Sequence, residues 1–179
     1  MAIARIVTRR EWRAASPKAI VRQDPADVRY LVVHYSAMSS DQRDRHAECA
    51  ERVRAIQHYH MTSDQLTPGG ASDIGYSWLV CRHGYVFRGR GWRRLPAATG
   101  GANAFTVAAC FLGGDKVGRR DVTDAAREAY RELVRFCDRN GPSFAGVRGH
   151  RDFGPTSCPG DELYRFVKLL DAEVREGRL

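Results

Sequence analysis

Cys158 and His150 stand eight residues apart in the segment Gly149-His150-Arg151-Asp152-Phe153-Gly154-Pro155-Thr156-Ser157-Cys158-Pro159-Gly160. Its prolines and glycines exclude a regular helix, so the segment reads as a loop able to fold an imidazole and a thiol onto one point. Nitrogen and sulfur donors together suit zinc. A third donor is available in His34, which ends the apolar run Tyr30-Leu31-Val32-Val33; strand ends are where open α/β sheets hold their ligands. Two histidines and one cysteine leave the fourth tetrahedral position to water, the ligand count of catalytic rather than structural zinc.

The other donors read differently. Cys49, Cys81, Cys110 and Cys137 lie in strand-like or helical apolar runs, where buried thiols are common. An odd count of five cysteines, with no C-x-x-C, argues against a disulfide framework or a four-cysteine zinc site. His58 and His60 point about 200° apart on a helix and cannot chelate one ion together; one of them reads as a core or supporting histidine. His83, in the turn Arg82-His83-Gly84, reads as a solvated turn residue. The segment Gly89-Arg90-Gly91-Trp92-Arg93-Arg94 is either a basic surface loop or a groove wall that grips carboxylates and stacks on a sugar or peptide.

The elements that must position these groups follow from periodicity. Tyr30–Val33 and the run from Phe105 to Leu112 have the continuous apolar character of buried central strands. Residues 76–81 and 85–89, joined by the His83 turn, predict a β-hairpin, and residues 144–148 a short last strand. A helix is predicted from His46 to about Met61, with Ala47, Ala50, Val53, Ile56 and either Tyr59 or His60 on one face. Thr123 caps a second helix, carrying Ala126, Ala129, Tyr130, Leu133, Val134 and Cys137 inward and ending at Asn140-Gly141-Pro142. Asp161 caps a third, with Leu163, Phe166, Val167 and Leu170 inward. The expectation is a single α/β domain, a central mixed sheet of about five strands flanked by three main helices. Residues 1–28 read as an N-terminal arm anchored by Trp12, and residues 29–179 as the catalytic domain.

Composition narrows the classes. The 179 residues, 43% hydrophobic and 28% charged, are those of an ordinary globular domain. No apolar run approaches the ~20 residues of a membrane span, and charge arrives too early in Met1–Arg10 for a signal peptide. A net charge of +8 favours anionic partners, nucleic acid or an acidic wall polymer, but no nucleic-acid motif is present.

Five ordered segments carry a resemblance: Val33-His34-Tyr35-Ser36-Ala37, Ile56-Gln57-His58-Tyr59-His60-Met61, Asp73-Ile74-Gly75-Tyr76-Ser77-Trp78-Leu79-Val80, Gly89-Arg90-Gly91-Trp92, and the His150–Cys158 loop. Across about residues 8–170 the chain resembles the type-2 N-acetylmuramoyl-L-alanine amidases and peptidoglycan-recognition proteins, a family that includes phage amidases. The resemblance implies Zn2+ held by His34, His150 and Cys158, with Tyr76 and Thr156 completing a site that cleaves the amide between the lactyl group of N-acetylmuramic acid and L-alanine. Tyr35, Ser36, Arg90, Trp92 and Asn103 become candidate contacts to the peptidoglycan substrate. It also implies a choice, because relatives that only bind peptidoglycan lack the cysteine or the tyrosine, and this chain keeps both. Two departures stand out. Cys49 fits one half of a disulfide in secreted relatives while Arg43 occupies the other, and Ala98 replaces a groove histidine. With no signal peptide, these features lead to the expectation of a monomeric phage lysis enzyme, made in the host cytoplasm and acting on the wall after release. The alternative is a non-catalytic binding module.

Overall fold

The computed structural model describes residues 5–37, 46–65, 67–114 and 122–179. Arg43 lies outside them. Two strands form the centre of the sheet: β2 (Tyr30–Tyr35), and the fully buried β5 (Thr106–Phe111). They run parallel in unbroken register from Tyr30 opposite Thr106 to Tyr35 opposite Phe111. Both faces of this pair are covered, which is why the segments are apolar throughout rather than alternating.

Outward on one side lies β6 (Gly146–Gly149), parallel to β2. On the other lies β3 (Trp78–Val80), parallel to β5 and joined in an antiparallel hairpin to β4 (Val86–Arg88). The sixth strand, β1 (Ile6–Val7), pairs with β4 and completes the order β1-β4-β3-β5-β2-β6. Two residues are too few for a period to show, so the sequence leads to about five strands. The N-terminal segment thus contributes an edge strand as well as an arm. Trp12 anchors it, fully buried, its indole N–H donating to the Arg88 carbonyl at 2.9 Å.

Three helices cover the sheet: α1 (His46–Thr62), α2 (Asp124–Asn140) and α3 (Asp161–Arg175). The Thr123 hydroxyl accepts from the Ala126 N–H and caps α2. At α3 the cap position is Gly160 rather than Asp161, because the backbone there turns with φ +84, a conformation open to glycine. Asp161 and Glu162 instead occupy the first turn, where negative charge opposes the helix dipole.

Side chains alternate along the strands and split the core in two. Leu31, Val33, Trp78, Val80, Ala109 and Phe111 face α2 and α3, meeting Tyr130, Leu133, Phe166 and Leu170. Leu79, Phe87, Cys110 and Leu112 face α1, meeting Cys49, Val53 and Ile56. The inward stripe of α1 therefore runs through Cys49, Val53 and Ile56, with buried Gln57 beside them, while Tyr59 points to solvent. Among the described residues no helix is long and apolar enough to cross a membrane.

Candidate active site

His34 is the fifth residue of β2 and lies opposite Cys110 in the register. It is buried, and its ring reaches the point where the loop after β6 arrives. His150 opens the short 3-10 turn His150–Asp152, its ring centroid 4.6 Å from that of His34. Cys158 closes the loop, with Sγ 3.8 Å from His34 Nδ1. The ligand atoms of His34, His150 and Cys158 all lie within 4.8 Å of one another. Zinc bonds of about 2.3 Å to sulfur and about 2.1 Å to nitrogen, at a tetrahedral angle, separate such atoms by about 3.6 Å. The three donors fit a zinc ion in spacing and in chemical type.

The loop is held by its own residues. The Arg151 N–H donates to the Cys158 carbonyl at 2.9 Å, and its guanidinium donates to the Ser157 carbonyl at 2.6 Å and to Asp161 at 2.8 Å. Gly149 is required where the loop leaves β6, since a Cβ there would stand 2.7 Å from the Tyr164 ring. Thr156 accepts the Cys158 N–H on its hydroxyl at 3.2 Å, a local turn that aims the sulfur and leaves the hydroxyl proton free to donate.

Electrostatics prepare the donors. Burial, helped by His150, lowers the His34 pKa to about 3, and burial also lowers that of His150. Both rings are neutral at pH 7 and carry a lone pair for a metal. Burial raises Cys158 to about 11, opposed by the Tyr35 N–H and Arg151. Metal binding must therefore displace a thiol proton, which a bound dication does readily. The Tyr35 amide, 3.5 Å from Sγ, is positioned to stabilise the resulting thiolate.

A second layer, invisible to spacing arguments, fixes His34. Its Nε2 lies 3.1 Å from the hydroxyl of Thr99, which is fully buried. Donation from Nε2 to that oxygen leaves the Nδ1 lone pair available to a metal. Thr99 is itself fixed by Asn103, whose Oδ1 accepts the Ala98 and Thr99 amides at 3.1 and 2.9 Å. Asn103 therefore shapes the loop behind the site. Ser36 plays a similar part, its hydroxyl accepting the Gly113 N–H at 3.0 Å. Tyr35 does face outward, its hydroxyl 3.3 Å from that of Ser157, and both line a cleft of about 1220 Å³ that runs beside α2 and α3.

Tyr76 stands between two imidazoles, its ring 5.5 Å from His34 on one side and 5.5 Å from His60 on the other. His60 is the supporting histidine of the His58/His60 pair: its Nδ1 accepts the Gly75 N–H at 2.8 Å. Burial and the sulfurs of Cys110 and Cys158 raise the Tyr76 pKa well above that of a free phenol. The hydroxyl therefore stays protonated, a hydrogen-bond donor beside the His34 and Cys158 donors.

Three expectations are corrected. Arg90 does not line a groove: its guanidinium is buried and donates to the carbonyls of Ile74, Leu95 and Asp73, tying together the segments on either side of Tyr76. Trp92 packs on the opposite face, against Trp78 at 5.5 Å and Phe136 at 5.3 Å. Its period in a glycine-flanked segment gave no sign of which face it would take. His83 is not a solvated turn residue; it is half-buried with Nδ1 3.4 Å from Cys49 Sγ and 3.9 Å from Cys81 Sγ.

The fold and the donor set together define a class, an α/β domain with a two-histidine, one-cysteine cluster at the end of its central strand. Residues 24–161 match the family described as N-acetylmuramoyl-L-alanine amidase. Peptidoglycan recognition protein 1 of Bos indicus is 34% identical over 167 residues, covering 91% of this chain and 82% of that one. The Homo sapiens N-acetylmuramoyl-L-alanine amidase is 30% identical over 161 residues, 88% of this chain but 27% of the longer human protein. Among solved structures, human PGRP-Iβ C in complex with glycosamyl muramyl pentapeptide superposes with a TM-score of 0.78 at 26% identity, covering 91% of this chain and 94% of that one. The chain belongs to the amidase and peptidoglycan-recognition family.

Proposed function

We propose that this protein is a zinc-dependent amidase that hydrolyses the bond between the lactyl group of N-acetylmuramic acid and L-alanine in peptidoglycan. One observation carries the reading: His34, His150 and Cys158 converge within 4.8 Å with the Tyr76 ring against His34. Zinc, when bound there, supplies Lewis-acid polarisation of the scissile carbonyl and an acidified water.

The protein's residues do the rest. Neutral His34 and His150 offer lone pairs, and Cys158 offers a thiolate supported by the Tyr35 amide. Tyr76, kept protonated by burial, donates to the oxygen that gains negative charge as the amide carbon becomes tetrahedral; such a donor is worth roughly 10²–10³ in rate. Thr156 can add a neutral hydrogen bond from the loop side. The net charge of +8 draws the enzyme to an anionic wall.

Purified peptidoglycan treated with the metal-replete protein is expected to release free L-alanyl amino termini, and Cys158→Ala or a chelator to reduce release to background. Equal release by chelated and metal-replete protein would overturn the reading. A relative named for recognition favours a second reading, non-catalytic binding; tight retention on peptidoglycan with no new amines identifies it.

A further inference from the structure

A second cluster of donors lies on the same face of the sheet and shares no residue with the first. Cys49 comes from the first turn of α1, and Cys81 and His83 from the turn of the β3–β4 hairpin. Their ligand atoms lie within 4.8 Å of one another. Both cysteines are buried and unbridged.

No disulfide joins the two cysteines, and a tetrahedral zinc ion spaces sulfur from nitrogen by about 3.6 Å. Here Nδ1 of His83 lies 3.4 Å from Cys49 Sγ and 3.9 Å from Cys81 Sγ. The corresponding contact in the active site, Cys158 Sγ to His34 Nδ1, is 3.8 Å.

The hairpin turn is held by its own hydrogen bonds. The turn closes through the Cys81 N–H to the Tyr85 carbonyl at 3.1 Å and the Gly84 N–H to the Cys81 carbonyl at 3.0 Å. Gly84, at φ +81, lets the turn pass close to Ala125 of α2, and the Thr123 hydroxyl donates to the Arg82 carbonyl. The two hairpin donors are thus fixed before any ion arrives, and His83 is half-buried.

We propose that Cys49, Cys81 and His83 form a second zinc site that ties the start of α1 to the β3–β4 hairpin. A donor set of two thiolates and an imidazole selects zinc over magnesium or calcium. That tie steadies the helix that carries His60 to Tyr76.

The test is metal stoichiometry of the full chain purified without chelator. Wild type is expected to hold two zinc per molecule, Cys81→Ser one, Cys158→Ser one, and the double variant none. With cobalt in place of zinc, the thiolate charge-transfer band should drop threefold in Cys49→Ser/Cys81→Ser, from three thiolates to one. His83→Ala, a milder change at the surface, should lose the second ion, and His83→Cys should keep it. One zinc in wild type and none in Cys158→Ser overturns the second site, as does recovery of a Cys49–Cys81 disulfide from native protein. If the active site fails to bind zinc but this one binds it, Cys158→Ser matches wild type at one and Cys81→Ser holds none. The two proposals therefore fail separately.

Discussion

The two faces of the sheet do different work. Beneath α2 and α3 lies a continuous apolar core in which Leu31, Val33, Ala109 and Phe111 meet Tyr130, Leu133, Phe166 and Leu170. Beneath α1 the same strands present His34 and Cys110, and around them gather Gln57, His60, Asp73, Tyr76 and Arg90, bonded to one another or to backbone. The strand period makes this division. Residues one position apart point to opposite faces, so Val33 secures one side while His34 serves the other. A buried polar site is costly unless its members are satisfied, and here the apolar face supplies the stability that lets the opposite face carry them.

Breaking the apolar face should separate stability from chemistry. Leu133→Ala removes a side chain that is 1% exposed and is expected to cost about 2–5 kcal/mol of unfolding free energy. Zinc content and turnover per folded molecule should stay at wild-type values. Denaturant unfolding and active-site titration check this, and a matching loss of turnover would mean the faces are not independent. The converse change is Tyr76→Phe. It keeps the ring between His34 and His60 and removes the phenol donor, so kcat should fall roughly 10²–10³-fold. Zinc affinity and thermal midpoint should hold. A kcat within threefold of wild type would remove Tyr76 from the reaction.

The division also explains what could be read from sequence. Strand β2 announces itself because its burial on both sides makes Leu31, Val32 and Val33 apolar in sequence, and His34 stands out by interrupting them. Thr123 and the stripe of α2 are local signals and hold. Arg90 and Trp92 mislead because glycines on either side look like an exposed loop. Whether an arginine points into a cleft or back to the carbonyls of Ile74, Leu95 and Asp73 depends on chain segments distant in sequence. The same is true of His83, whose neighbour Cys49 comes from a helix 34 residues away, and of Thr99, whose place in the Ala97–Gly101 segment does not reveal its hydrogen bond to His34. Strand Ile6–Val7 needs β4 to exist and has no pattern of its own.

Thr99 offers the finest test of the polar face. Its hydroxyl acts through His34 Nε2 at 3.1 Å, and is positioned in turn by the Asn103 carboxamide. Thr99→Val keeps the shape and deletes the acceptor, leaving the His34 N–H buried without a partner and freeing the ring to take the wrong tautomer. Zinc affinity should weaken about 10–100-fold, measured by competition with a chromogenic chelator, while fold and cleft remain. Thr99→Ser, which restores the oxygen without the methyl, should recover most of the loss. Asn103→Ala acts one hydrogen bond further away and should cost less than Thr99→Val. Affinity unchanged in Thr99→Val would show that strand β2 alone orients His34, and that the apolar face fixes the metal ligand as well as the fold.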